Sequence, residues 1–110
     1  RQGVSWAAMD ATDMSSLKGG SFDLALEKFT LDAMLCTSKD DGEDERGHAA
    51  IRELHRVLAP EGIFVSIAWG EGRREALLRA YGWFEVECHR LSGSAKGKSP
   101  IAYICRKRTP

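Results

Sequence analysis

The sequence has 110 residues, which is enough for one small domain with a single core. Charged residues make up 29% of it and the formal net charge is zero, which argues against a protein that binds nucleic acid through a broad basic face. No apolar run approaches the roughly 20 residues that a membrane helix needs, so we expect neither a nucleic-acid partner nor a membrane span.

The cysteines and the first residues bear on the compartment and on metal binding. Cys36, Cys88 and Cys105 are odd in number and scattered, which fits a reducing compartment and predicts a cytoplasmic protein. They lack CxxC or Cys/His ligand spacing, so we expect no metal site. The chain begins with Arg1 and shows no signal-peptide pattern, and we expect a fragment or a processed chain.

The first part of the chain predicts two strands and the start of a helix. Val4–Met9 is a short apolar run that ends at Asp10, as a buried strand does before a polar loop. Phe22–Lys28 alternates apolar and polar residues, which is typical of a second strand. Thr30–Cys36 begins a helix, and the acidic run Asp40–Arg46 predicts a solvated loop.

The middle of the chain predicts a helix followed by an apolar strand. Apolar residues recur with helical spacing in Gly47–Leu58, and Pro60 and Gly62 then end the helix. Ile63–Trp69 is the strongest strand signal in the sequence. Its near-continuous apolar character indicates a parallel strand that is covered on both faces.

The last third predicts a helix and two strands. Arg73–Tyr81 is helical with Gly82 as its C-terminal cap, and Trp83–Leu91 and Ile101–Arg106 are strands joined by the loop Ser92–Pro100. Alternating strands and helices predict an α/β fold with a parallel sheet. The last two strands have no helix between them, so they must pair antiparallel.

Five segments carry a resemblance to a known family. They are Met9–Met14 (MDATDM), Gly20–Leu24 (GSFDL), Glu27–Ala33 (EKFTLDA), Arg56–Gly62 (RVLAPEG) and Tyr81–Trp83 (YGW). Together they resemble the class I S-adenosylmethionine-dependent methyltransferases. Arg56–Gly62 is similar to the class as a whole, whereas Glu27–Ala33 is similar to the group that methylates lysines of translation elongation factor 1-alpha.

The resemblance implies a Rossmann-like class I methyltransferase sheet, mostly parallel with a C-terminal antiparallel hairpin. Residues 1–110 would form a partial methyltransferase domain that holds family strands three to seven. The glycine-rich loop and the acidic residue of the first two family strands have no counterpart in the sequence. We therefore expect those two strands to be missing.

The family's strand order also implies which strands are neighbours. Phe22–Lys28 would lie beside Ile63–Trp69, and Ile101–Arg106 would lie between Ile63–Trp69 and Trp83–Leu91. Val4–Met9 would lie away from Phe22–Lys28. The latter strand would then keep an unpaired edge, so we expect the 110-residue chain alone to self-associate. We also expect it to be inactive, because the loop and the acidic residue that hold the cofactor in the family are missing.

The same resemblance implies a cofactor, S-adenosyl-L-methionine, and residues that bind it. Asp10 would accept a hydrogen bond from the adenine amino group, and the backbone N–H of Ala11 would donate to a ring nitrogen. Lys28 would lie beside the methionine end of the cofactor. These residues follow strands, at the edge where α/β sheets bind ligands. For Asp10 the structural alternative is a turn or helix cap.

Two further residues are candidates for catalysis and for substrate binding. Glu27 would tune the electrostatics around the sulfonium or the incoming amine, with an exposed ion pair to Lys28 as the alternative. Trp69 would form an aromatic wall for a lysine side chain, with a core tryptophan as the alternative. Glu27 stands where the family has Asp, and Phe29 stands where it has Gly, so a turn that needs positive φ would be strained there.

Two other patterns are weighed and set aside. His48 and His55 share a helix face without a third ligand, so we expect two ordinary histidines. Tyr103 and Lys107 have the YxxxK spacing of short-chain dehydrogenases. That motif needs a helix, and here it falls on a predicted strand.

The function that the resemblance implies is protein-lysine N-methylation, with translation elongation factor 1-alpha or a similar protein as substrate. A small-molecule methyltransferase of the same fold is the first alternative. A truncated, non-catalytic interaction module is the second, because nothing like a GxGxG loop occurs in the sequence.

Overall fold

The computed structural model describes residues 3–31, 45–69, 72–80, 82–91 and 99–109. Its strands are β1 (Phe22–Lys28), β2 (Leu58–Trp69), β3 (Phe84–Arg90) and β4 (Pro100–Lys107), and its helices are α1 (Glu45–Val57) and α2 (Gly72–Arg79). Most of the predicted Thr30–Cys36 helix and of the Ser92–Pro100 loop lies outside the described residues. The predicted loop Asp40–Arg46 is wrong at its end, because Glu45 and Arg46 already belong to α1.

The strands form one mixed sheet in the order β1-β2-β4-β3. β1 and β2 pair in parallel, and β4 pairs antiparallel with both β2 and β3. β1, β2 and β3 therefore run in one direction and β4 runs in the other. This arrangement confirms both the predicted neighbours and the predicted antiparallel hairpin.

β2 begins five residues earlier than the predicted strand Ile63–Trp69, at an irregular stretch. Phe22 pairs with Leu58 while Leu24 pairs with Ile63, so the register shifts between these two rungs. Glu61 has a φ of 64° within this stretch. Extra residues on one strand bend it away from its partner without ending the strand.

The prediction of a strand at Val4–Met9 is wrong. The segment is irregular in the structure, and the side chains of Val4 and Trp6 are 74% and 89% exposed. An apolar run forms a stable strand only where a neighbouring strand completes its hydrogen bonds, and within the described ranges none pairs with it. The expected separation of Val4–Met9 from β1 is confirmed.

The core lies on one face of the sheet, beneath α1 and α2. It contains Ile51 from α1, Leu78 from α2, and Phe64, Tyr103 and Cys105 from the central strands. Within β2, alternate residues are buried and half-buried. The expectation that this strand is covered on both faces is therefore confirmed for one face, and the other face is partly covered.

Candidate functional site

The site is built at the carboxyl ends of the two parallel strands. Lys28 ends β1 and pairs with Ile67, two residues before Trp69 ends β2. The backbone N–H of Phe29 extends this pairing by donating to the carbonyl oxygen of Ile67 at 2.9 Å. The carboxyl edge of such a sheet is where α/β proteins bind ligands. The predicted residues Lys28 and Trp69 therefore lie together at this edge.

An aromatic stack lies on this edge. The rings of Phe29 and Trp69 are nearly parallel, with centroids 5.2 Å apart and an interplanar angle of 13°. The ammonium nitrogen of Lys28 lies 5.7 Å from the centroid of the Phe29 ring, within the range of a cation–π contact. Trp69 is exposed, so the alternative of a core tryptophan is wrong.

Phe29 adopts the left-handed conformation that the sequence analysis expected to be strained there. Its φ is 65°, a region that residues with a side chain other than Asn or Asp seldom enter. Residues held in this region cost of the order of 1–3 kcal/mol and persist only where neighbouring contacts hold them. The strand pairing on one side and the stack with Trp69 on the other are two such contacts.

The carboxylate of Glu27 is held by four donors. Oε1 accepts from the backbone N–H groups of Thr30 and Leu31 at 2.9 and 3.0 Å. Oε2 accepts from Nη1 of Arg74 at 2.8 Å and from the hydroxyl of Ser66. The ion pair is with buried Arg74, so the suggested pair with Lys28 is not the one that forms. The catalytic role of Glu27 stays a prediction.

Arg74 and Ser66 are site residues that the sequence analysis missed. Ser66 had a signal, because a hydroxyl at an inward position of an apolar strand needs a hydrogen-bond partner. Arg74 had none, since an arginine in the first turn of a short polar helix is usually solvated. In the structure its side chain is 1% exposed, and Nη1 also donates to Oγ of Ser66 at 2.5 Å.

Asp10 forms a turn at the surface. Oδ1 accepts from the backbone N–H of Thr12 at 2.9 Å and from its hydroxyl at 2.7 Å. These hydrogen bonds, helped by the charge of Arg46, hold the pKa of Asp10 below its usual value. Asp10 thus caps a turn, as the structural alternative proposed, and it does so as an ionised carboxylate. Ala11 packs against the core beside it.

The segment that follows Asp10 is held against α1 by hydrogen bonds. Oε1 of Glu53 accepts from the backbone N–H of Met14 at 2.7 Å, and Arg56 donates to the carbonyl oxygens of Met14 and Leu17 at 2.8 and 3.0 Å. The two side chains also pair with each other at 3.0 Å. The chain therefore follows α1 from the surroundings of Arg46, in its first turn, towards its C-terminal end.

This course places Asp10 at the same edge of the sheet as Lys28. α1 connects the parallel strands β1 and β2, so it must run against them, and its first turn lies near the carboxyl end of β1. Arg46, in that first turn, is close enough for its charge to lower the pKa of Asp10. The structure thus brings the predicted residues to one edge in two groups, Asp10 with Ala11, and Lys28 with Trp69.

The residues of the two patterns that were set aside do not come together in a site of their own. Tyr103 is buried in β4, and Nζ of Lys107 donates to the carbonyl oxygen of Leu58 at 2.6 Å. Nε2 of His55 contacts the carbonyl oxygen of Arg108 at 3.1 Å. Among the described residues, no group of three or more His, Cys, Asp or Glu side chains is arranged to hold a metal ion. In the same ranges, no helix is long and apolar enough to cross a membrane.

Comparison with known proteins identifies the family. Residues 1–66 match the family model described as a methyltransferase domain. The chain belongs to this family. The methyltransferase match covers β1, α1 and most of β2, and it includes Asp10, Ala11, Glu27 and Lys28.

One curated relative is similar in sequence over part of its length. The chain is 39% identical over 67 residues to the EEF1A lysine methyltransferase 4 of Bos taurus. The aligned region covers 56% of this methyltransferase-family chain and 26% of the relative. The chain therefore matches about a quarter of the length of that protein.

Solved structures share the fold at low sequence identity. The N-methyltransferase NodS of Bradyrhizobium japonicum WM9 is similar with a TM-score of 0.70 and 18% identity, over 94% of this chain and 60% of its own. The 1,6-didemethyltoxoflavin-N1-methyltransferase of Burkholderia thailandensis, solved with bound 1,6-didemethyltoxoflavin and S-adenosylhomocysteine, is similar with a TM-score of 0.69 and 18% identity, over 94% of this chain and 50% of its own. These likenesses confirm the predicted methyltransferase-type α/β sheet.

Proposed function

We propose that the protein containing this chain is an S-adenosylmethionine-dependent methyltransferase. The observation that carries the proposal is the family match over residues 1–66, because this range includes Asp10 and Lys28, the residues proposed to bind the cofactor. The conformation of Phe29 supports it. Strained backbone concentrates at functional sites, and this strained residue contacts both Lys28 and Trp69.

The side chains at this edge fit such a cofactor. Asp10 offers an ionised carboxylate that can accept from an amino group, and Ala11 follows it in the same turn. Lys28 offers an exposed ammonium at the end of β1, suited to a carboxylate. We assign Asp10 and Ala11 to the adenine end and Lys28 to the methionine end. The cofactor supplies, when bound, a methyl group on a positively charged sulfur.

The residues of this chain act mainly by positioning. The acceptor must be aligned with the methyl group and must carry a free electron pair, so an amine acceptor must be neutral when it reacts. Trp69, 41% exposed, provides a flat wall that orients the acceptor and excludes water from one side. Glu27, at the end of β1, is paired with Arg74 and acts on the electrostatics around the reacting groups together with that partner.

For the acceptor we propose a lysine side chain of a protein, with translation elongation factor 1-alpha as the first candidate. The support is the 39% identity to a lysine methyltransferase named for that factor. The aromatic wall fits this acceptor, because the apolar stem of a lysine packs well on a ring. A cytoplasmic location follows from such a substrate and remains part of the proposal.

The test uses the full-length protein and two matched aspartates. Asp10→Ala should weaken S-adenosylhomocysteine binding in calorimetry, whereas Asp23→Ala, which changes an exposed aspartate at the opposite end of β1, should not. Methyl transfer is then measured with elongation factor 1-alpha and with a panel of small amines and heterocycles. Absence of cofactor binding by the full-length protein would refute the class. Transfer to small molecules alone would refute the protein substrate.

A further inference from the structure

The ion pair between Arg74 and Glu27 is the most deeply buried charged contact among the described residues. The side chains are 1% and 11% exposed, and Nη1 of Arg74 lies 2.8 Å from Oε2 of Glu27. Removing two charges from water is costly, so a buried pair adds little to stability compared with apolar residues of the same shape. Its effect is geometric, because a guanidinium holds a carboxylate in a defined orientation.

The two oxygens of Glu27 have separate tasks. Oε2 is held from below by Arg74 of α2 and by Ser66 of β2. Oε1 thereby faces the backbone N–H groups of Thr30 and Leu31 and accepts a hydrogen bond from each, at 2.9 and 3.0 Å. One side chain thus ties β1, β2 and α2 to the first turn that follows β1.

The hydrogen bonds of Glu27 span Lys28 and Phe29, which form the aromatic stack with Trp69. Along the sequence, Lys28 and Phe29 lie between Glu27 and the residues whose N–H groups its carboxylate caps. The cap spans only a few residues, so it restricts the backbone of the left-handed residue Phe29 directly. That conformation in turn lays the Phe29 ring on Trp69 and beneath the ammonium of Lys28.

We propose that Arg74 is a positioning residue of the site. Through Glu27 it holds the turn that presents Lys28 to the cofactor and the stack of Phe29 and Trp69 to the acceptor. The inference rests on the proposed function for its effect on catalysis. Its structural part, the control of the turn by Arg74, stands independently of that function.

The test compares two ion pairs that each involve a residue of α2. Arg74→Met and the double variant Arg74→Met/Glu27→Gln change the buried pair. Glu75→Gln removes the exposed ion pair with Arg79, whose side chains are 44% and 49% exposed, and leaves the hydrogen bond from Arg79 to the carbonyl oxygen of Val86 in place, so it serves as the control. Glutamine keeps an oxygen that can cap the turn, but it has no charged partner to orient it.

A positioning role separates stability from function in the two variants. Arg74→Met leaves Glu27 unpaired and should lower Tm by more than about 10 °C. The double variant should recover most of that loss, because no unpaired charge remains. The acceptor KM should nevertheless stay raised at least about tenfold in the double variant, since the turn is no longer oriented. The control variant should leave both quantities unchanged.

A spectroscopic readout makes the inference independent of methyl transfer. With lysines labelled by carbon-13, the side-chain protons of Lys28 should show the upfield shift of a group above an aromatic ring. The shift should disappear in the double variant and persist in the control. Lys28→Arg assigns the signal.

Each outcome decides the matter. Recovery of both Tm and KM in the double variant would reduce Arg74 to a stabilising residue and overturn the inference, as would an unchanged Lys28 signal. If Arg74→Met does not fold, the double variant, which holds no unpaired charge, carries the test alone, and its acceptor KM and Lys28 signal are compared with those of the wild type and the control. A wild-type protein without methyl transfer, but with a Lys28 signal that depends on Arg74, would refute the proposed function and leave the positioning role intact.

Discussion

The imidazole of His55, on α1, contacts the carbonyl oxygen of Arg108 just beyond the end of β4, with 3.1 Å between Nε2 and the oxygen. The ring also packs against Trp83 and Phe84, with centroids 5.5 and 5.4 Å away. This contact joins the helix that follows the candidate site to the last strand of the sheet. It therefore links the protonation of one side chain to the stability of the whole domain.

Protonation of His55 should destabilise the fold. Burial is the main cause that lowers the pKa of His55 below its usual value of 6.5, and the charge of Lys107 adds to it, while the hydrogen bond to Arg108 opposes it. Because the folded state disfavours the proton, this contribution to stability is complete above the unfolded pKa. It is lost as the pH falls through the unfolded pKa towards the lower folded value.

Urea unfolding at several pH values checks this expectation. Between about pH 7.5 and about pH 5.5 the free energy of unfolding should fall less steeply in His55→Gln than in the wild type. His89→Gln is the control, because His89 is exposed beside Glu87. Equal slopes in the wild type and in His55→Gln would show that His55 does not carry the effect.

The thiols of Cys88 and Cys105 should differ strongly in reactivity. Cys88 is exposed, whereas burial, with a smaller contribution from Cys88, raises the pKa of Cys105 to about 12. Since the thiolate is the reactive form, Cys105 should be alkylated at least about 1000-fold more slowly near pH 8. Peptide mapping after timed alkylation measures both rates. Similar rates in the folded protein would contradict the buried position of Cys105, and urea should abolish the difference.

How much of the structure the sequence predicted depends on whether a feature follows from a local residue pattern or from a partner elsewhere in the chain. The apolar alternation of Phe22–Lys28 and the apolar run Ile63–Trp69 predicted strands because both residue patterns are local. Val4–Met9 has a similar local pattern but no neighbouring strand in the described residues, and a pattern does not reveal its partner. Arg74 was missed for a related reason, since its burial depends on Glu27, 47 positions earlier in the chain.

The site was predicted through the family resemblance and not through periodicity. Lys28 and Trp69 were placed correctly at one edge, because the ends of neighbouring parallel strands must meet there. The stack of Trp69 on Phe29 was not foreseen. The resemblance indicated a positive φ at Phe29, but no single-sequence signal shows on which neighbour the ring of that residue packs.

Gly62 should be intolerant of a side chain. A β-carbon at this position would lie 2.8 Å from the carbonyl oxygen of Ala59 and 3.2 Å from the side chain of Leu58. Gly62→Ala should therefore lower the free energy of unfolding by about 1–3 kcal/mol, because backbone must shift. Urea titration measures the loss.

Two other glycines provide the controls for that experiment. Gly20 has a φ of 70° and open space around it, so Gly20→Ala should cost about 1 kcal/mol through conformation alone. A β-carbon added at Gly3 would meet no atom within 4 Å, so Gly3→Ala should have no measurable effect on the free energy of unfolding. A loss at Gly62 no larger than the loss at Gly3 would contradict the close approach to Ala59.

The stack of Phe29 on Trp69 should be nearly neutral for stability and costly for function. Phe29→Gly releases the strain of a φ of 65°, of the order of 1 kcal/mol, but it loses an aromatic pair worth about 0.5–1.5 kcal/mol. Glycine also gains freedom in the unfolded chain, which offsets part of the relief. The net change in the free energy of unfolding should therefore stay within about 1 kcal/mol.

A double-mutant cycle with Trp69→Leu separates the stack from the strain. The strain is relieved in Phe29→Gly whether or not Trp69 is present, so it cancels in the cycle, and the coupling that remains measures the contact between the rings. We expect a coupling of about 0.5–1.5 kcal/mol in urea unfolding. Under the proposed function, both single variants should raise the acceptor KM more than the cofactor Kd, because the stack faces the acceptor. A coupling near zero, together with an unchanged KM in Phe29→Gly, would mean that the ring of Phe29 contributes nothing to this edge.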